Sequence, residues 1–67
     1  MPSTEELAKI HQTYLKAIDA FSDATAVITR HMEAGTLPTE GELQREAVAV
    51  AALTIAREAY LKASRTQ

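Results

Sequence analysis

The first half of the chain repeats apolar residues every seven positions, the spacing at which one side of a helix meets a partner helix. One set of positions holds Leu7, Tyr14, Phe21 and Ile28. The set three residues later holds Ile10, Ala17, Ala24 and His31, and Ile18 widens the stripe on one flank. The pattern predicts a helix over residues 3–34 that packs as in a coiled coil and has the apolar members of both sets as its core positions.

Capping residues mark both ends of this helix. Ser3 and Glu6 have the spacing of a capping box, in which a hydroxyl and a carboxylate bond to backbone amides of the first turn. Gly35 is suited to the left-handed conformation that commonly ends a helix, and Pro38 prevents the helix from continuing. We therefore predict a short turn over residues 35–38, which joins antiparallel neighbours.

A second helix is predicted over residues 39–65. Thr39 and Glu42 repeat the capping-box spacing at its start. The alternating run at residues 47–50 also suits a strand, because valine favours extended backbone. We reject the strand because alanine is a strong helix former and the chain offers no second strand for pairing. The sequence thus predicts an all-α, antiparallel two-helix hairpin as a single domain.

The run AVAVAALTIA at residues 47–56 carries no charge on any side of this second helix. At about 100° per residue, one stripe is predicted to pack against the first helix. Its members are Leu43, Ala47, Val50, Thr54 and Leu61. Apolar residues on the other sides of this helix would then be exposed to water, and monomeric proteins seldom expose large apolar patches. These residues, predicted to form an oligomer interface, are Val48, Ala52, Leu53, Ile55, Ala56, Ala59 and Tyr60.

A second copy of the hairpin would cover that surface and complete a four-helix bundle. A homodimer is therefore the preferred prediction. A higher homo-oligomer, a complex with another protein, and a monomer are the alternatives.

Composition narrows the class of protein further. The chain has 67 residues, no cysteine and a net charge of -2, so disulfides and thiolate metal sites are excluded and a general attraction for phosphate is not expected. The start of the chain lacks the basic and apolar regions of a signal peptide. Ten apolar residues are about half the length that a bilayer requires. We expect a cytoplasmic protein that does not enter a membrane.

The two histidines are the residues with the most chemical potential. His31 resembles a phosphate-accepting histidine only weakly, because its acidic neighbour Glu33 is two residues away and no nucleotide-binding segment follows. We interpret His31 as a helix-end residue that interacts with the helix dipole. A metal shared by His11 and His31 of two copies is a minor alternative. We expect no catalytic residues, no metal site and no cofactor, and hence no enzyme.

Two functional classes remain. The first is a small protein-interaction module, such as a homodimeric adaptor, inhibitor or accessory subunit, that acts through helix–helix packing. The second is a nucleic-acid-binding hairpin dimer with a mildly basic end, for which the acidic total charge is unfavourable. The residues predicted for that contact are Lys9, Arg57, Lys62 and Arg65.

Overall fold

The computed structural model describes residues 3–65 and consists, over that range, of two helices without any strand. Helix α1 spans Thr4–Ala34 and helix α2 spans Glu40–Arg65. The helices pack against each other along their length, which confirms the predicted all-α hairpin. The predicted helix ends lie within one residue of the observed ends.

The caps of α1 have the predicted chemistry. The backbone N–H of Glu6 donates to Oγ of Ser3 at 3.1 Å. At the other end Gly35 adopts φ 73° and ψ 25°, the left-handed conformation that a side chain would disfavour. The amide of Thr36 then donates to the carbonyl of His31 at 2.9 Å, so a carbonyl of the last turn is satisfied.

The capping box of α2 is complete. The backbone N–H of Thr39 donates to Oε1 of Glu42 at 2.8 Å, and the N–H of Glu42 donates to Oγ1 of Thr39 at 3.1 Å. This reciprocal pair satisfies two donors that the helix cannot satisfy itself. These two hydrogen bonds therefore fix the backbone where the turn leads into α2.

Small residues line the closest approach of the two helices. All buried apolar residues of the described chain are alanines at seven-residue spacing: Ala17, Ala24, Ala49, Ala56 and Ala63. Larger residues lie beside them and are only half-buried: Leu7, Ile10, Tyr14, Phe21, Ile28 and Leu53. The helices therefore approach closely at the alanines, and the large side chains spread outward from that line.

The prediction of which side of α2 packs against α1 is wrong by about a third of a helical turn. The residues assigned to that contact, all exposed, are Leu43, Ala47, Val50, Thr54 and Leu61. Three residues assigned to an oligomer interface face α1 instead: Leu53, Ala56 and Tyr60. Because α2 is apolar on nearly every side, the pattern gave no unique direction, and large side chains were wrongly preferred over alanines at the contact.

One assignment on α1 also needs correction. Ile18, predicted to be a core residue, remains 39% exposed. Ile18 follows the buried Ala17 and lies about 100° farther around α1, where α2 does not cover it fully. The other α1 core positions are buried or half-buried.

The hairpin is a rod of 49 × 15 × 14 Å with a radius of gyration of 15.2 Å. A compact chain of this length has a radius of gyration of about 11 Å. Its accessible surface is 5216 Å², whereas a compact monomer of its mass has about 4,200 Å². The chain alone therefore leaves roughly 1,000 Å² more surface in water than a globular fold of its size.

Candidate functional site

Contacts around Tyr60 establish which sides of the two helices lie together. The Tyr60 ring packs edge-on against Tyr14, with ring centroids 5.4 Å apart, and lies 6.2 Å from the ring of His11. A surface depression brings His11 and Tyr60 together with Ser64. Residues seven positions apart lie on the same side of each helix. The side of α1 that bears His11 therefore also bears Ile18, and the side of α2 that bears Ser64 continues at seven-residue spacing toward the turn.

This side of the rod, which we call the apolar face, is almost free of charge. Arg57 is the one Asp, Glu, Lys or Arg residue among its members, and the half-buried Glu46 lies at its border, in the heptad position of Leu53 and Tyr60. Six of its apolar side chains are between 39% and 73% exposed: Leu15, Ile18, Met32, Leu43, Val50 and Leu61. The full face consists of Ala8, His11, Leu15, Ile18, Ser22, Thr25, Thr29, Met32, Leu43, Ala47, Val50, Thr54, Arg57, Leu61 and Ser64.

The threonines of the apolar face have already satisfied their hydroxyl groups. Oγ1 of Thr25 donates to the carbonyl of Phe21 at 2.9 Å, and Oγ1 of Thr29 donates to the carbonyl of Thr25 at 3.0 Å. On α2, Oγ1 of Thr54 donates to the carbonyl of Val50 at 3.0 Å. Because each hydroxyl bonds back to its own helix, it has a partner without water.

The apolar face is also uneven. Two shallow depressions flank the Tyr60 ring, one of about 420 Å³ beside Ser64 and one of about 250 Å³ beside Leu15 and Ile18. Both are lined mainly by apolar and aromatic atoms. Depressions of this kind accept protruding side chains of a packed helix.

The opposite side of the rod, which we call the basic face, has a contrasting composition. It carries five of the seven Lys and Arg residues: Lys9, Lys16, Arg30, Arg45 and Lys62. It also carries two acids, Glu6 and Asp23, and the exposed apolar residues Val48 and Ile55, with Thr13, Ala20, Val27, Ala52 and Ala59 between them. Within residues 3–65, none of the five cations lies within 4.0 Å of a carboxylate.

The four residues predicted to contact nucleic acid do not form one patch. Lys9 and Lys62 lie near each other on the basic face toward the open end of the hairpin, as expected. Arg57 lies on the apolar face instead, and Arg65 ends α2 on the side that points away from α1. Lys16, which was not predicted, extends the basic face from Lys9.

The predicted oligomer interface is likewise divided. Val48, Ala52, Ile55 and Ala59 share the basic face. The other three predicted members pack toward α1, as described above. Val48 and Ile55 are 60% and 69% exposed, so the surface that they form is open, but it is bordered by cations.

His31 joins the turn to both helices. Its Nε2 lies 2.8 Å from Oε1 of Glu42, and its Nδ1 lies 2.8 Å from Oγ1 of Thr36. Both ring nitrogens thus have partners, and the same Glu42 oxygen accepts the amide of Thr39. The arrangement favours a structural role for His31, because neither nitrogen is free to accept a phosphoryl group.

The Glu42 carboxylate is stabilised in its charged form. The backbone N–H of Thr39 is the main cause that lowers the pKa of Glu42 below its ordinary value of 4.5, and the Thr39 hydroxyl and His31 act in the same direction. Partial burial opposes them. The carboxylate therefore stabilises the turn most effectively when it is ionised.

The described residues contain no group of three or more His, Asp or Glu side chains placed to hold a metal ion. Neither helix, over the described range, is long and apolar enough to cross a membrane. The chain matches no protein-family model, no curated protein and no solved structure.

Sequence reasoning missed the separation of apolar and charged residues onto opposite faces. The signal was present in the charge pattern: on α1, Lys9, Lys16, Asp23 and Arg30 recur at seven-residue spacing. Following charges as well as apolar residues would have marked one side of α1 as uncharged and one side of α2 as nearly so. The correct direction of α2 was also needed before the two uncharged sides could be joined.

Proposed function

We propose that this chain is a small non-enzymatic interaction module that forms a homodimer through helix–helix packing. The observation that carries the proposal is the set of large apolar side chains that one hairpin leaves in water. Monomers rarely expose so large a contiguous apolar surface, and such surfaces mark protein–protein contacts.

The area of the hairpin is consistent with pairing. A specific interface removes about 800 Å² from each partner, which is close to the excess of roughly 1,000 Å² over a compact monomer. Two rods side by side also have a more globular shape than one. Burial of the apolar face would supply the core that alanines alone do not provide.

Sedimentation equilibrium tests this proposal directly. We expect the mass of a dimer at micromolar concentration and a thermal midpoint that rises with protein concentration, because association stabilises the folded chain by mass action. A monomeric mass up to about 100 μM, with a midpoint independent of concentration, contradicts the proposed homodimer.

Nucleic-acid binding is the second candidate, and the five cations of the basic face, which form no ion pair within residues 3–65, favour it. Lys9, Lys16 and Lys62 lie toward the open end, and Arg30 and Arg45 lie toward the turn. Against it, the large apolar side chains of Val48 and Ile55 occupy the middle of that face. Phosphate contacts make binding strongly salt-dependent.

A titration with single-stranded RNA and duplex DNA at low salt tests the second candidate. Binding that weakens steeply with salt, and that the double variant Lys9→Glu, Lys16→Glu abolishes, supports it. Absence of binding at 50 mM salt dismisses it. The variant Ala26→Glu, which adds a carboxylate on the exposed outer side of α1 away from both faces, is the control for unspecific loss.

A further inference from the structure

We infer that the second copy of the chain covers the apolar face, and that the face bearing Val48 and Ile55 stays outside the dimer. The inference rests on the proposed homodimer and assigns its interface. It differs from the interface that the sequence pattern indicates.

The distribution of charge separates the two faces. Two copies joined by their basic faces bring ten Lys and Arg side chains together against four acids, and burying unpaired like charges is strongly unfavourable. Two copies joined by their apolar faces bring together Arg57 and the half-buried Glu46 of each chain, so that the number of cations equals the number of acids. The Arg57 side chain packs through its stem, and its head extends toward water or a carboxylate.

Hydrogen bonding favours the same face. The hydroxyls of Thr25, Thr29 and Thr54 already bond to carbonyls of their own helices. Water can therefore leave these side chains without breaking a hydrogen bond that the protein must replace. Polar groups that remain unpaired are the main cost of burying a surface, and these threonines avoid it.

Most of the large half-buried side chains point to the same side. Tyr14 and Tyr60 meet at the edge of the helix contact on the apolar face, and the buried alanines lie on the other edge. Tyr14, Phe21, Ile28 and Leu53 share this edge by their seven-residue spacing. A second hairpin placed here completes the burial of these residues, so that the apolar face of each copy becomes half of one core.

The chain offers a matched pair of residues for a test. His31 contacts Glu42 and Tyr14 contacts Tyr60, so residue numbers at one level of the rod add up to about 73. Ile18 and Ile55 therefore lie at the same level, on the apolar and basic faces respectively. They share residue type, a mid-helix position and height, and lie on opposite faces, with Ile18 39% and Ile55 69% exposed.

The experiment compares Ile18→Lys with Ile55→Lys by sedimentation and circular dichroism. Lysine suits a helix, and at position 18 it lies near the level of Arg57, whereas the carboxylate of Glu46 lies nearer the turn. We expect Ile18→Lys to raise the dimer dissociation constant by at least about 100-fold, since each copy then buries an unpaired charge. We expect Ile55→Lys to leave the dimer unchanged.

Cross-linking gives a second measurement, which does not require the dimer to dissociate. The chain has no cysteine, so Ile18→Cys and Ile55→Cys each introduce a single thiol. Position 18 lies close to the middle of the rod, where the two copies meet at similar levels in either orientation. A short bis-maleimide should link Ile18→Cys into dimers and leave Ile55→Cys unlinked.

The possible failures are distinguishable. A monomeric wild type contradicts the proposed homodimer, and the interface with it. A dimeric wild type that Ile18→Lys leaves intact, whether or not Ile55→Lys dissociates it, overturns the inference alone. If both lysine variants dissociate, cross-linking through Ile55→Cys and not through Ile18→Cys overturns it, and the reverse result upholds it.

Discussion

The contact between α1 and α2 and the apolar face use opposite kinds of residue. Alanines line the contact, and Ala24 there is only 1% exposed. Large side chains occupy the apolar face, where Leu15 and Val50 are nearly half exposed. Ordinarily the largest apolar residues of a small domain lie in its core. Here the chain's own contact is built for close approach, and most apolar volume is left beside it.

This difference shows how one sequence can separate two tasks. Alanines at seven-residue spacing determine how closely the two helices approach and how they are rotated. The neighbouring positions are then free to carry large side chains on one face. In such a hairpin the chain itself specifies how α1 and α2 are aligned. Burial of its large apolar residues depends on another molecule.

The sharpest way to break the contact is to enlarge an alanine within it. Ala24→Leu should destabilise the hairpin by about 1–3 kcal/mol, because the extra atoms force the helices apart. Ala26→Leu, on the exposed side of the same helix, should change the free energy of unfolding by less than about 0.5 kcal/mol. Urea denaturation monitored by circular dichroism measures both. Equal effects of the two changes would contradict the assigned direction of α1.

A smaller effect is expected at the turn, on which the alignment of the contact depends but the composition of the apolar face does not. Gly35→Ala should destabilise the chain by about 1 kcal/mol, because φ 73° disfavours a side chain even where nothing lies within 4 Å of the added atom. Gly41→Ala, within α2, should stabilise it by up to about 1 kcal/mol. Thermal denaturation of the two variants should thus give shifts of opposite sign.

The smallest effect concerns pH. The pKa of Glu42 is lower in the folded chain than its ordinary value of 4.5, so its contribution to stability is present above that value and is lost as the pH falls through the folded pKa. We expect the thermal midpoint to fall as the pH is lowered below about 4.5, and to fall less in Glu42→Gln.

Glu33→Gln is the control for that measurement, since the exposed Glu33 carboxylate forms no ion pair in the described chain. Its acid dependence should match that of the wild type. An equal loss of acid sensitivity in both variants would mean that the Glu42 contacts do not stabilise the fold.

The sequence was sufficient to predict the hairpin and the side of α1 that packs against α2. Helix ends followed from local chemistry at Ser3, Gly35 and Thr39, where each cap needs only its near neighbours. In α1, the largest apolar residues recur at two heptad positions and charged residues occupy the basic face and the outer side, so its direction was clear. Local signals of this kind do not depend on a partner element.

The direction of α2 could not be predicted in the same way. Ala49 and Ala56 are buried and Val48 and Val50 are exposed, although all four residues are apolar neighbours in sequence. Which of them faces α1 depends on the space that the large residues of α1 leave, and no pattern within α2 contains that information. The apolar face was missed for the same reason, since it exists only when both helices are placed.

The packing of Tyr14 against Tyr60 has a practical consequence. The chain contains no tryptophan and only these two tyrosines, one from each helix near the open end. Its intrinsic tyrosine emission therefore originates from a single location, where the two helices pack against each other. Packing of α1 against α2 can be followed through the fluorescence of Tyr14 and Tyr60 without attaching a dye.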